Sequence, residues 1–85
     1  MTKSQADIAE KRRILRAEYG GLMSLKNLTH ELGLRDTRAA KRWAAEHGLR
    51  YVLMLKQGGK AAPRFDTDAL AKILVSEMRP AQTLR

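Results

Sequence analysis

Glycine and proline decide how this chain can be divided. Gly20-Gly21, Gly33, Gly48, Gly58-Gly59 and Arg79-Pro80 each mark the end of a segment with its own hydrophobic period. Residues 4–19, SQADIAEKRRILRAEY, read as a helix on which Ile8, Leu15 and Tyr19 share a thin apolar face. Ser24 follows as an N-cap, its hydroxyl placed to accept a main-chain N–H of the next turn. Leu25, Leu28 and Leu32 then recur at the spacing of one helix face. Gly33 stops that helix, because glycine tolerates the left-handed backbone a helix end needs. Asp36 caps another helix over 37–47, which Gly48 ends. On it Ala40, Trp43, Ala44 and His47 form the inner stripe, while Arg38, Lys41, Arg42 and Ala45 project from the other side.

Residues 50–56, RYVLMLK, carry the β-branched and aromatic residues of a strand. A turn at 57–60 leads to the short return arm APRF. Pro63 has no N–H to donate, which predicts that this arm is a sheet edge. Asp66 caps a last helix, TDALAKILVSEM, whose stripe is Leu70, Ile73, Leu74 and Met78. The expected fold is therefore mainly α with a small two-stranded β wing: a winged helix-turn-helix with an extra N-terminal helix. Its expected divisions are a basic helix at 1–21, the winged domain at 22–78 and a flexible tail at 79–85.

Eighty-five residues support one small domain, burying roughly 60–65% of the surface of its unfolded chain. A deep catalytic cleft is not expected from a core this small. With no cysteine, disulfides and thiolate metal sites are excluded. His30 and His47 have no clustered carboxylates beside them, so neither a metal nor a cofactor is expected. Ser4, Ser24 and Ser76 lack a triad-like setting, Asp66 and Asp68 read as helix caps, and no enzyme chemistry is expected. No apolar run approaches the ~20 residues that span a bilayer, and MTKSQADIAEKRR lacks the apolar stretch of a secretory signal. A cytoplasmic, nucleoid-associated place is the expectation.

Seventeen basic residues against nine acidic ones give a net charge of +8, which favours a polyanionic partner. The distribution is more telling than the total. Residues 50–65 hold Arg50, Lys56, Lys60 and Arg64 with no acid, whereas residues 66–85 balance three bases against three acids.

The run LKNLTHELGL…AAKRWAAEHGL…QGGKAAPRFDTDALAKIL resembles the excisionase and MerR-like DNA-binding domain family. Leu28, Leu32 and Gly33 correspond to its first helix, Lys41-Arg42-Trp43 to its recognition helix and Gly58-Gly59-Lys60 to its wing. Phe65-Asp66 with Leu70 corresponds to its closing element. The resemblance covers about residues 22–78 and leaves the N-terminal helix outside; the turn between the two helices is one residue longer than usual for the family. It implies DNA binding, in the manner of phage excisionases (recombination directionality factors), transcriptional regulators or small terminase subunits. Double-stranded DNA is then the partner, with a homodimer or cooperative array on repeated sites, and a recombinase, as further ones.

In a helix-turn-helix the second helix enters the major groove with its N-terminal half toward the bases. That places Thr37, Arg38, Lys41 and Arg42 at the interface, with Arg35 in the preceding turn. Arg38 or Lys41 suits guanine O6 and N7, and Arg42 a flanking phosphate. Lys26 and Asn27 stand where a helix start holds a phosphate. Lys56, Lys60 and Arg64 give the wing a basic tip for the backbone or minor groove. Against this stands the reading of an ordinary solvated basic face, and a protein–protein adaptor or antirepressor on the same scaffold. Trp43, Tyr51 and Phe65 read as packing residues. The N-terminal helix is left with packing or dimerisation through Ile8, Leu15 and Leu22, DNA-backbone contact, or adhesion to an anionic membrane surface.

Overall fold

A computed structural model describes residues 2–55 and 59–77. Four helices and three short strands follow in the order α1 (Lys3–Tyr19), β1 (Leu22–Ser24), α2 (Leu25–Leu32), α3 (Thr37–Glu46), β2 (Tyr51–Leu55), β3 (Ala61–Asp66) and α4 (Thr67–Glu77). The chain is thus mainly helical with a small antiparallel sheet. Lys56, Gln57, Gly58, Met78 and the expected tail at 79–85 lie outside the described residues.

The helix starts follow from their caps. Ser24 Oγ accepts the Asn27 N–H at 3.0 Å while the Asn27 side chain accepts the Ser24 N–H at 3.1 Å, a reciprocal box that opens α2. Asp36 Oδ1 accepts the Ala39 N–H at 2.8 Å and opens α3. Gly33, at φ 64 and ψ 31, closes α2 in the left-handed region. Asp66 Oδ1 takes the Asp68 N–H at 3.1 Å at the start of α4.

Two expectations are corrected. Among the described residues the sheet has three strands rather than two, in the order β1-β3-β2, and the arm bearing Pro63 is its central strand rather than its edge. The alternation of the ladder explains why proline is tolerated there. Asp66 N–H donates to Arg50 O and Thr67 N–H to Gly21 O, so even-numbered residues of β3 direct their main-chain groups toward β2 and odd-numbered ones toward β1. Pro63 is odd and faces the β1 side, but β1 ends at the pair Ser24–Arg64. Its missing N–H falls beyond the end of that strand, so no ladder bond is lost.

Leu15, Met23, Leu28, Ala40, Ala44, Leu49, Phe65, Leu70 and Ala71 form one core, with Tyr19, Trp43, Ile73 and Leu74 packed against it. Leu15 of α1 is 1% exposed, so it is not available as a seam to a second copy, whereas Leu22 is 42% exposed. Polar contacts secure α1 on two sides. Arg16 donates to Asp68 of α4 through Nε at 2.8 Å and a second guanidinium nitrogen at 3.0 Å. The Tyr19 hydroxyl donates to Glu31 of α2 at 3.0 Å, and Lys11 approaches the same carboxylate at 3.7 Å.

Thr67 is the buried polar residue at the centre of this arrangement. It is fully buried; its hydroxyl donates to Gly20 O at 2.8 Å and its N–H to Gly21 O at 3.1 Å. Gly20, at φ 84, makes the sharp turn that brings β1 alongside β3. Thr67→Val keeps the shape but strands the Gly20 carbonyl, and should cost about 1–2 kcal/mol, seen as a lower thermal midpoint. Thr67→Ser should lose less. Burial, and then the Glu31 carboxylate, push the Tyr19 phenol from its ordinary value of 10.0 up to about 12. The folded chain therefore keeps this proton longer than the unfolded one, so the contribution is complete below pH 10 and is lost as pH rises toward 12. Thermal midpoints measured across that window should fall less steeply in Tyr19→Phe than in the parent.

Candidate nucleic-acid interface

The placement of α3 begins with alanine. Ala40 and Ala44 are buried in the core and their small side chains let the helix sit close to its neighbours. Trp43 is half-buried against the core, and its ring stacks on His47 with centroids 4.1 Å apart. His47 Nδ1 lies 2.9 Å from the Trp43 carbonyl oxygen, closing the end of the helix. With that face committed, Arg38, Lys41, Arg42 and Ala45 are all exposed on the other. The helix period that buries the alanines thus presents three cations as one row.

The turn before α3 extends this surface. Gly33 N–H donates to His30 O and Leu34 N–H to Thr29 O, and half-buried Leu34 anchors the turn on the core. Arg35 and Thr37 are left exposed. Together with Lys26 and His30 of α2 they line a shallow, open depression at the start of α3. Three expected site residues, Lys26, Arg35 and Thr37, are therefore brought together although eleven positions separate the first from the last. Asn27 is committed differently: its side-chain oxygen is bonded within the α2 cap. His30 is an addition to the expected set. Its signal was available, since it follows Lys26 by one helical turn.

Of the expected wing cations, Lys60 and Arg64 are among the described residues. Lys60 is exposed beside the turn, and Lys56 lies outside the described residues. Arg64 is half-buried. By strand alternation it points to the sheet face opposite Pro63 and Phe65. The cleft between α3 and the hairpin is lined by Lys41, Ala44, Ala45, Tyr51, Leu53, Ala61, Pro63 and Phe65, which is apolar apart from one cation. Tyr51 and Phe65 sit opposite each other with ring centroids 5.9 Å apart, as packing residues.

Ion pairing divides the molecule electrostatically. Among the described residues the pairs are Lys11–Glu31, Arg13–Glu10 and Arg16–Asp68, each with its cation on α1. Arg16 and Arg13 hold their protons more firmly than usual through these carboxylates, and the Asp68 carboxyl is held below its ordinary range by Arg16. None of Lys26, Arg35, Arg38, Lys41 or Arg42 takes part in such a pair among the described residues. All five are exposed, Lys26 and Arg35 at the depression before α3 and the other three along the helix.

No protein-family model matches the chain, and no curated protein or solved structure matches it. No helix among the described residues is long and apolar enough to cross a membrane.

Because the α3 cations carry no packing role, Arg38→Ala, Lys41→Ala and Arg42→Ala should each leave chemical stability within about 0.5 kcal/mol of the parent. Ala40→Leu, which forces a larger group into the core, should cost about 1–3 kcal/mol. Denaturant titrations compare the two sets.

Proposed function

We propose that the chain is a sequence-specific double-stranded DNA-binding protein of phage or mobile-element type, built as a winged helix-turn-helix. It would act as an excisionase, a transcriptional repressor, or both. The observation that carries this reading is the row Arg38, Lys41, Arg42, free of ion pairs among the described residues, on the helix whose first residue, Thr37, lines the depression with Lys26 and Arg35.

The proposed mechanism places α3 in the major groove. Arg38 and Lys41, on the first two turns, approach base edges, where an arginine reads guanine O6 and N7 through two parallel hydrogen bonds. Arg42, Lys26 and Arg35 take phosphates on either side and fix the register of the helix. Lys60 reaches the backbone from the hairpin. The resemblance to excisionase and MerR-like domains supports the same assignment through Lys41-Arg42-Trp43. The exposed apolar residues of β2 favour a second reading, an adaptor that docks on another protein.

Binding of duplex DNA from the source genome, followed by fluorescence anisotropy, separates these readings. The double variant Arg38→Ala/Lys41→Ala should lose at least about tenfold in affinity and most discrimination among sequences. Affinity of the parent should fall roughly 10³-fold between 50 and 200 mM salt if about six phosphates are contacted. Arg13→Ala removes equal charge per residue from α1 and should change little. Equal losses from both surfaces would reduce the interaction to net charge and bring the adaptor reading forward.

A further inference from the structure

Strand β2 is unlike the rest of the surface. Tyr51, Val52, Leu53, Met54 and Leu55 follow one another without a charge, and all are exposed, from 47% at Met54 to 80% at Leu55. Among the described residues β2 is also an edge strand, with β3 on one side and no strand on the other. The bond from Asp66 N–H to Arg50 O fixes which main-chain groups are used. Even-numbered residues of β2 face β3, so Tyr51, Leu53 and Leu55 direct their N–H and C=O groups to the open side. Neither a proline nor a charged side chain within β2 blunts that edge.

We infer that β2 is the seam of a homodimer, pairing antiparallel with β2 of a second copy to make one continuous six-stranded sheet. The exposed area sets the upper limit of what such a seam can bury. The five side chains expose roughly 600 Å², taking about 200 Å² for a fully exposed large residue. That is about a tenth of the 6553 Å² surface of the chain. Two copies offer about 1,200 Å² between them, the lower end of stable specific interfaces. A two-fold axis at Val52 sets Val52 opposite itself and Tyr51 opposite Leu53 of the second copy, using the outward main-chain groups. It also sets Arg50 opposite Met54, so no like charges face each other across the seam. An uncharged strand offers a charged peptide nothing to pair with, whereas it is complementary to itself.

The seam bears on the proposed DNA reading, on which this further consequence rests. Lys41 and Ala44 of α3 face the same side of the sheet as Tyr51 and Leu53. A two-fold axis perpendicular to the sheet keeps both copies of α3 on that side, as a symmetric pair for two half-sites on one duplex. The two interactions should answer oppositely to salt. Each protomer carries +8, so screening favours dimerisation, while it weakens binding to phosphate.

The test is sedimentation equilibrium of the full chain without nucleic acid. Mass should rise to twice the protomer value at micromolar concentration, and the dimer should tighten between about 0.05 and 0.5 M salt. Leu53→Lys, at a site 65% exposed, should keep the circular dichroism of the parent and weaken the dimer more than about tenfold. Val52→Cys supplies a second readout, since the chain has no other cysteine. Facing residues at a non-hydrogen-bonded pair lie ~4.5 Å apart at Cα, a distance a disulfide spans. Mild oxidation should therefore cross-link Val52→Cys and leave Met54→Cys monomeric. A chain monomeric throughout, or a dimer that cross-links at Met54→Cys and not Val52→Cys, overturns the seam. A monomer whose DNA affinity falls with Leu53→Lys also overturns it and assigns the strand to DNA. Because the mass is measured without DNA, losing the seam leaves the α3 interface standing, and losing the interface leaves the seam standing.

Discussion

The hydroxyl of Thr67, bonded to the carbonyl of Gly20 in a fully buried position, joins the end of α1 to the start of α4. The neighbouring bond from Thr67 N–H to Gly21 O begins the pairing of β1 with β3. Two stretches of chain 47 residues apart are held at one point, and β3 becomes the middle of the sheet. With β3 fixed, β2 can occupy only its other side, and the hairpin comes to stand beside α3. The position of the proposed interface therefore depends on a residue that touches none of it.

Charge is organised by the same packing. Laying α1 across α2 and α4 brings its cations against Glu31 and Asp68, so these acids are committed on that side. Asp36 is committed to the α3 cap. What is left along the turn and α3 is a surface of cations without nearby acids in ion-pair contact among the described residues. A chain with this excess of base gains from a polyanion wherever it touches one, but only fixed cations at helical spacing can read a pattern of base edges. The rigid inner face of Ala40 and Ala44 is what would turn charge into recognition.

Local chemistry was legible in the sequence. The caps at Ser24 and Asp36 and the stop at Gly33 depend on one residue and its near neighbours, and each is found at the expected position. The exposed row of α3 followed equally from helical period. Long-range consequences were harder. β1 has only three residues and no alternation long enough to read, and exists because β3 is there to receive it. Pro63 suggested an edge because its own chemistry says nothing about where a neighbouring strand stops. The gathering of Lys26, Arg35 and Thr37 needed the angle between α2 and α3, which spacing alone does not supply. YVLML was visible as a strand, but its exposure on both faces depends on how little of the core the hairpin covers.

The central claim is that the surface formed by the turn and α3 meets duplex DNA. Amide chemical-shift mapping by NMR, with a duplex recovered from the source genome by the protein itself, tests this residue by residue. The account predicts the largest shifts across Arg35–Arg42, with smaller ones at Lys26 and Lys60 and little change along the outer face of α1 at Glu10 and Arg13. Shifts centred on α1, or spread evenly over every exposed cation, would contradict it.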